Sequence, residues 1–444
     1  MSKSITFKIQ PGGSLQGAAR VPGDKSMSHR SIMLGSLADG VTHVKGFLEA
    51  EDALATLQAF RDMGVTIEGP TNGEVTIHGV GKHGLQAPKN PLYLGNSGTS
   101  MRLLSGLLAG QAFDCVLTGD KSLSGRPMKR VTDPLAAMGA DIKTTEKGTA
   151  PLHITGRAGQ LNGIDYVMPM ASAQVKSCLL LAGMYAQGVT TVTEPAPTRD
   201  HTERMLSGFN YPVKQDASTV SITAEGKLTA SDIDVPSDIS SAAFFLVGAS
   251  IAPGSDLTLH HVGINPTRTG VIDILRLMGA NIEVLNERVV GGEPVADLHV
   301  VYSPLKGIDI PEELVPLAID EFPVLFVAAA CAEGQTRLSG AEELRVKESD
   351  RIQVMADGLK ILGVKAEPTP DGMVIQGGTI GGGTVVSHGD HRIAMAFSIA
   401  GLRASAPITV LDCLNVNTSF PEFKDLVKNL GLDLTCYEEH IETV

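Results

Sequence analysis

The chain of 444 residues contains no tryptophan, and its five cysteines (Cys115, Cys178, Cys331, Cys413 and Cys436) form no CxxC pair. Scattered through mostly apolar segments, these thiols read as reduced core residues of a cytosolic protein rather than a disulfide framework or a metal site. No uninterrupted apolar run reaches the ~18 to 20 residues that a membrane span needs. The opening Met1-Ser-Lys-Ser-Ile-Thr-Phe lacks the apolar core of a signal peptide, so a cytoplasmic protein with no membrane association is expected. Basic charge is also in short supply, with 36 Lys and Arg against 49 Asp and Glu and a formal net charge of -13. That balance argues against a nucleic-acid partner, which requires basic stripes; an anionic small substrate requires positive charge gathered locally.

What is present describes a well-packed soluble chain. It is 43% hydrophobic and 19% charged, with 49 glycines that imply many tight turns. A chain of this length exceeds one ordinary core, so two domains are expected.

Internal repetition sets the expected fold class, α/β. An amphipathic helix, a break and a β-rich run recur six times, with the breaks at Gly64, Gly139, Asn210, Gly279, Gly363 and Gly431, at intervals of roughly 68 to 84 residues. A second, more apolar helix lies between these marks, with copies starting at Ser28, Ser97, Ser172, Asp238, Glu321 and His391. Polar caps open these helices, and Gly40, Gly110, Gly188, Gly254 and Gly334 follow five of them. Runs such as Ser177 to Ala182 and Val324 to Ala329 suggest helices buried on all sides. Six units divide into three plus three near Val235-Pro236-Ser237-Asp238. The last unit lacks a partner strand, which Ile5 to Ile9 can supply. The expected domains are therefore 24–236 and, discontinuously, 1–23 with 237–444. A cleft between two similar domains is a preferred place for a small-molecule site.

Polar residues that interrupt the apolar pattern gather at the starts of these helices. Unpaired N–H groups and the macrodipole favour anions there, so several such ends could bind polyanionic substrates despite the acidic whole. In Pro22-Gly23-Asp24-Lys25-Ser26-Met27-Ser28-His29-Arg30, Lys25 offers a movable charge, Ser26 a hydroxyl and Arg30 a planar fork. Gly98, in Gly95-Asn96-Ser97-Gly98-Thr99-Ser100-Met101-Arg102, allows close backbone approach to a ligand. Ser172-Ala173-Gln174-Val175-Lys176 suits hydroxyls or phosphate oxygens, and Arg126 and Arg199 each stand at the entrance to a repeat helix. Lys347 and Arg351, spaced i,i+4 in Arg345-Val-Lys347-Glu348-Ser349-Asp350-Arg351, would share one helix face. Glu348 could transfer protons there or belong to a surface ion-pair network. Asp320, before Glu321-Phe322-Pro323, could cap a buried helix or act as a base, and Arg392 follows His391 at another helix start.

Taken together, PGDKSMSHR, LGNSGTSMR, GRPM, DEFP, RVKESDR and GDHRIAMAF resemble the motifs of the 5-enolpyruvylshikimate-3-phosphate synthase family over almost the full chain. SAQVKS, TRDHTE and TSFPEF are similar to its class II bacterial subgroup. The resemblance implies two domains of three βαβαββ units each, with the active site in the cleft between them. It implies transfer of the enolpyruvyl group of phosphoenolpyruvate to the 5-hydroxyl of shikimate-3-phosphate, with release of phosphate, by a monomer using no metal or organic cofactor. By the same resemblance, Lys25, Ser26, Arg30, Ser172, Ala173, Gln174, Arg199, Asp320 and Lys347 hold shikimate-3-phosphate. Lys25, Gly98, Arg126, Gln174, Arg351 and Arg392 surround phosphoenolpyruvate, and Asp320, Glu348 and Lys25 carry the proton transfers. Gly98 would also face glyphosate, an inhibitor that occupies the phosphoenolpyruvate pocket in this family. One departure stands out: many members have a lysine where Asn417-Thr418-Ser419-Phe420-Pro421 has Thr418.

Three alternatives are weaker. UDP-N-acetylglucosamine enolpyruvyl transferases carry a reactive cysteine or aspartate at the position that Lys121 takes here, and Cys115 reads as a strand residue. A non-catalytic anion-binding paralogue would not need Asp320, Glu348 and Lys25 intact. RNA-terminal phosphate cyclases share a related unit, but this chain has no nucleotide signature.

Overall fold

Among the described residues, buried helices and small sheets recur in two sets, three helices and three sheets in each. The computed structural model describes residues 2–290 and 292–441. These fall into two compact units, one of Gly23–Val235 with Val290–Glu293, the other of Met1–Pro22, Pro236–Val289 and Pro294–Val444.

In the unit built on Gly23–Val235, the buried helices are Lys25–Leu37, Gly98–Ala109 and Ala173–Gly183. The last two approach so closely that a Cβ on Gly106 would stand 2.1 Å from the Cys178 carbonyl oxygen. Its three four-stranded sheets share one pattern. In the first, Val41–Lys45 pairs parallel with Ile233–Asp234 and antiparallel with Glu74–His78, which pairs antiparallel with Thr66–Thr71. The sheets around Cys115–Thr118 and Val189–Thr193 repeat that order.

The other unit is organised around Ile239–Ile251, Phe322–Cys331 and His391–Ala400, which pack against one another in pairs. Every residue of Ile239–Ile251 is buried. At about 1.5–3 kcal/mol for each large apolar side chain removed from water, these helices supply much of the drive to fold. The missing strand of the sixth repeat is Ser2–Ile9, which lies antiparallel to both Ile408–Leu411 and Leu434–Ile441. The helical run Glu312–Cys331 has the length and mean hydropathy (1.9) of a membrane span, but 67% of that window is buried and it contains Asp320 and Glu321. It is a core segment.

Local chemistry explains where these elements begin and end. Asp24, Ser97, Ser172, Asp238 and Asp390 accept hydrogen bonds from the backbone N–H groups of Met27, Ser100, Val175, Ser240 and Arg392 at 2.8 to 3.3 Å. Each such cap is worth about 1 kcal/mol. Because Asp24 is the cap, the first buried helix starts at Lys25 rather than Ser28, whose buried Oγ instead accepts from Leu48 N–H at 3.0 Å. All six repeat breaks are left-handed, with φ of 89°, 92°, 100°, 83° and 125° at Gly64, Gly139, Gly279, Gly363 and Gly431, and 61° at Asn210. Glycine tolerates that region freely and asparagine better than most residues, which is why Asn210 can occupy a glycine position.

Candidate active-site residues

In the Gly23–Val235 unit, two groups of polar side chains form at the helix starts. Arg30 is buried, and its Nε donates to Thr202 Oγ1 (2.7 Å), its Nη1 to the Ser26 carbonyl (3.0 Å) and its Nη2 to Ser177 Oγ (3.1 Å). Lys25 forms an ion pair with the buried carboxylate of Asp52. The second group centres on Gly98. Gln174 donates to Thr99 Oγ1 at 3.0 Å and accepts from Arg102 Nη1 at 2.5 Å, while Arg126 Nη2 donates to Asn96 Oδ1 at 2.7 Å. Ser172 is occupied as a cap, with Ala173 the first residue of its helix. Arg199 is half-buried in the connection between Val189–Thr193 and His201–Gly208.

His29 joins the helices behind these groups. Fully buried, its Nδ1 lies 2.8 Å from Thr56 Oγ1 and 3.2 Å from Ser100 Oγ, and its Nε2 lies 3.4 Å from Ser97 Oγ. Burial first, then the charges of Lys25 and Arg30, hold its pKa well below the ordinary histidine value. The imidazole is therefore neutral and fixed, a spacer between the Lys25 and Gly98 helix starts.

The other unit gathers charge more densely. Arg351 is 1% exposed, and its Nε donates to Asp390 Oδ2 (2.9 Å), its Nη1 to Asp320 Oδ1 (3.2 Å) and its Nη2 to Glu348 Oε2 (2.8 Å). Burial works against this guanidinium's charge, but Asp390, Glu348 and Asp320 outweigh it and raise the pKa. Lys347 Nζ lies 3.6 Å from Asp320 Oδ1 and 2.9 Å from Glu343 Oε1. Arg392 Nη1 reaches the Asp320 carbonyl at 3.3 Å. Asp320, Lys347, Glu348, Arg351 and Arg392 thus share one neighbourhood.

Two sequence expectations need correction. Lys347 and Arg351 do not share a helix face, because Glu342–Val346 is a 3-10 turn, Lys347 is extended and the helix begins only at Arg351. Asp350 stops any backward extension by accepting the Gln353 N–H at 3.0 Å. Asp320 does not cap the Phe322–Cys331 helix: Glu321 holds the N-cap position, without a side-chain cap bond, and the Asp320 carboxylate turns to Arg351 and Lys347.

Other residues matter more than sequence suggested. Asp390 is wholly buried and clamps Arg351, and Arg102 donates to Gln174 at 2.5 Å and to the Pro127 carbonyl at 3.3 Å. A capping aspartate just before a helix signalled Asp390, but nothing local signalled its partner. Thr418 is buried and donates to the Asn415 carbonyl at 2.7 Å. Cys115 lies in the strand Cys115–Thr118, where burial and then Asp114 push its thiol up to about 12, so it is no nucleophile.

The profile of the EPSP synthase (3-phosphoshikimate 1-carboxyvinyltransferase) family matches residues 9–427. The 3-phosphoshikimate 1-carboxyvinyltransferase of Methylococcus capsulatus is 70% identical over 432 residues, covering 97% of this chain and 99% of that protein. A solved EPSP synthase from Acinetobacter baumannii superposes with a TM-score of 0.89 at 63% identity, covering 98% of this chain and 100% of that one. The enolpyruvyl transferase NikO of Streptomyces tendae has the same fold, with a TM-score of 0.80 over 99% of this chain and 100% of its own at 16% identity.

Proposed function

This chain belongs to the EPSP synthase (3-phosphoshikimate 1-carboxyvinyltransferase) family, and from that premise we propose how its residues divide the reaction between phosphoenolpyruvate and shikimate-3-phosphate. The 5-hydroxyl of shikimate-3-phosphate attacks C2 of phosphoenolpyruvate while C3 gains a proton, giving a tetrahedral ketal phosphate. Loss of a C3 proton then expels phosphate and restores the double bond. Asp320 accepts the hydroxyl proton, and Lys25 with Glu348 handles the proton at C3. Arg126, Arg351 and Arg392, with Gly98, Lys25 and Gln174, hold the carboxylate and phosphate of phosphoenolpyruvate. Lys25, Ser26, Arg30, Ser172, Ala173, Gln174, Arg199 and Lys347 hold shikimate-3-phosphate, with Asp320 against its hydroxyl. The acceleration comes from positioning and fixed charge.

The observation that carries this reading is Asp320, whose carboxylate lies 3.2 Å from Arg351 and 3.6 Å from Lys347 and does not hold the N-cap position of Phe322–Cys331. One cation proposed to bind phosphoenolpyruvate and one proposed to bind shikimate-3-phosphate thus meet at the proposed base. A cytoplasmic monomer belongs to the same reading, supported by five free thiols and by one chain carrying every group the reaction uses. Phosphate release from phosphoenolpyruvate, measured with and without shikimate-3-phosphate, tests it. Release only when both are present is expected; release from phosphoenolpyruvate alone, or none with both, overturns it.

A further inference from the structure

Lys176 is the one lysine of the buried Ala173–Gly183 helix, the helix that also carries Gln174. It is 1% exposed, and its ammonium lies 3.2 Å from the Glu194 carboxylate and 3.1 Å from Glu203 Oε1. Glu194 follows the strand Val189–Thr193, and Glu203 lies in the first turn of His201–Gly208. One cation therefore fastens both ends of the connection that carries Arg199. Glu194 also receives the hydroxyl of Thr198, the neighbour of Arg199, at 2.5 Å. Next to this lock, Ser177 and Thr202 meet at 2.7 Å and both bond Arg30.

We infer that Lys176 is a positioning residue for shikimate-3-phosphate, acting through Arg199; this rests on the proposed assignment of Arg199 to that substrate. Apolar side chains of the same volume would hold the two helices together at least as well, because burying an ion pair costs desolvation that its attraction barely repays. What charge adds is direction. Contacts near 3 Å to both ends of a loop fix that loop's geometry, which non-directional packing does not. Burial raises the Glu203 pKa, and the charge of Lys176 opposes that rise.

Steady-state kinetics of Lys176→Met and Arg199→Ala test the inference. Lys176→Met is expected to raise KM for shikimate-3-phosphate by about 10-fold or more, the scale of one lost charged hydrogen bond, with kcat and KM for phosphoenolpyruvate within about threefold of the parent. If the single variant does not fold, Lys176→Met/Glu203→Gln, which also removes the stranded carboxylate, is read in the same way. KM for shikimate-3-phosphate within about twofold of the parent, or equal rises for both substrates, overturns the inference. Arg199→Ala separates the two levels. If it leaves KM for shikimate-3-phosphate unchanged, the substrate assignment fails and the inference falls with it; if it raises that KM while Lys176→Met does not, only the inference fails.

Discussion

In the Gly23–Val235 unit, two candidate arginines donate to neutral groups: Arg30 to Thr202, Ser177 and the Ser26 carbonyl, and Arg126 to Asn96. In the other unit Arg351 is buried against Asp390, Glu348 and Asp320, all of them carboxylates. Hydroxyl and amide partners direct a guanidinium without offsetting its charge, which suits a binding group for anions. Carboxylate partners fix it more firmly and bring proton acceptors to the same place. In the proposed scheme this is a division of labour: cations for the substrates come from both units, while both carboxylates proposed for proton transfer, Asp320 and Glu348, come from the unit with Arg351.

The sharpest test of that division is Asp320→Asn. It is expected to lower kcat by ~10² to 10⁴-fold while leaving shikimate-3-phosphate binding largely intact, as measured by turnover alongside equilibrium titration. Activity within a few-fold of the parent would remove Asp320 as the base and break the comparison.

Stability should divide the same way. Asp390→Ala removes the fully buried one of three carboxylate partners of Arg351, together with a helix cap, and is expected to cost about 3–5 kcal/mol in denaturant unfolding. Ser177→Ala removes one neutral partner of Arg30 and is expected to cost only about 1–3 kcal/mol. Equal losses would mean that the two kinds of partner are not energetically distinct.

A smaller effect is expected at Gly98. A Cβ at this position would stand 2.9 Å from Arg126 Nη1 and 3.1 Å from Arg102 Nη1, so an added methyl first displaces two guanidinium tips. Since overpacking typically costs about 1–3 kcal/mol, Gly98→Ala is expected to raise KM for phosphoenolpyruvate and to weaken competitive inhibition by glyphosate by more. Inhibition kinetics of both proteins decide the point. Equal losses would assign the effect to the arginines alone rather than to the space the inhibitor needs.

The mildest perturbation is pH. His29 has a folded pKa well below its ordinary 6.5, so the unfolded chain binds the proton more readily. Its contribution is fully present above about 6.5 and is lost as pH falls towards the depressed folded value, at up to about 1.4 kcal/mol per pH unit. Unfolding at pH 7.5, 6.0 and 5.0 should therefore show a shallower acid loss in His29→Asn than in the parent. Parallel curves would mean that His29 is not the group that titrates.

The amino-acid sequence by itself determined the repeat, the caps and the motif order, because each depends on residues only a few positions apart. A left-handed break needs glycine or asparagine, a helix start needs a short polar side chain, and a helix buried all round needs an unbroken apolar run. The Asn210 break is legible on those grounds, whereas the first buried helix, read as starting at Ser28, is capped by Asp24 and starts at Lys25. The i,i+4 reading of Lys347 and Arg351 failed because spacing says nothing about whether a helix spans it, and Asp350 starts one between them. Only the tertiary structure decided which groups meet. Arg30 finds Thr202, Arg351 finds Asp390 and Lys176 finds Glu194 and Glu203, all partners delivered by other repeats or other elements. Those choices follow from how buried helices pack and from the cost of leaving a buried charge unpaired, neither of which a local pattern records.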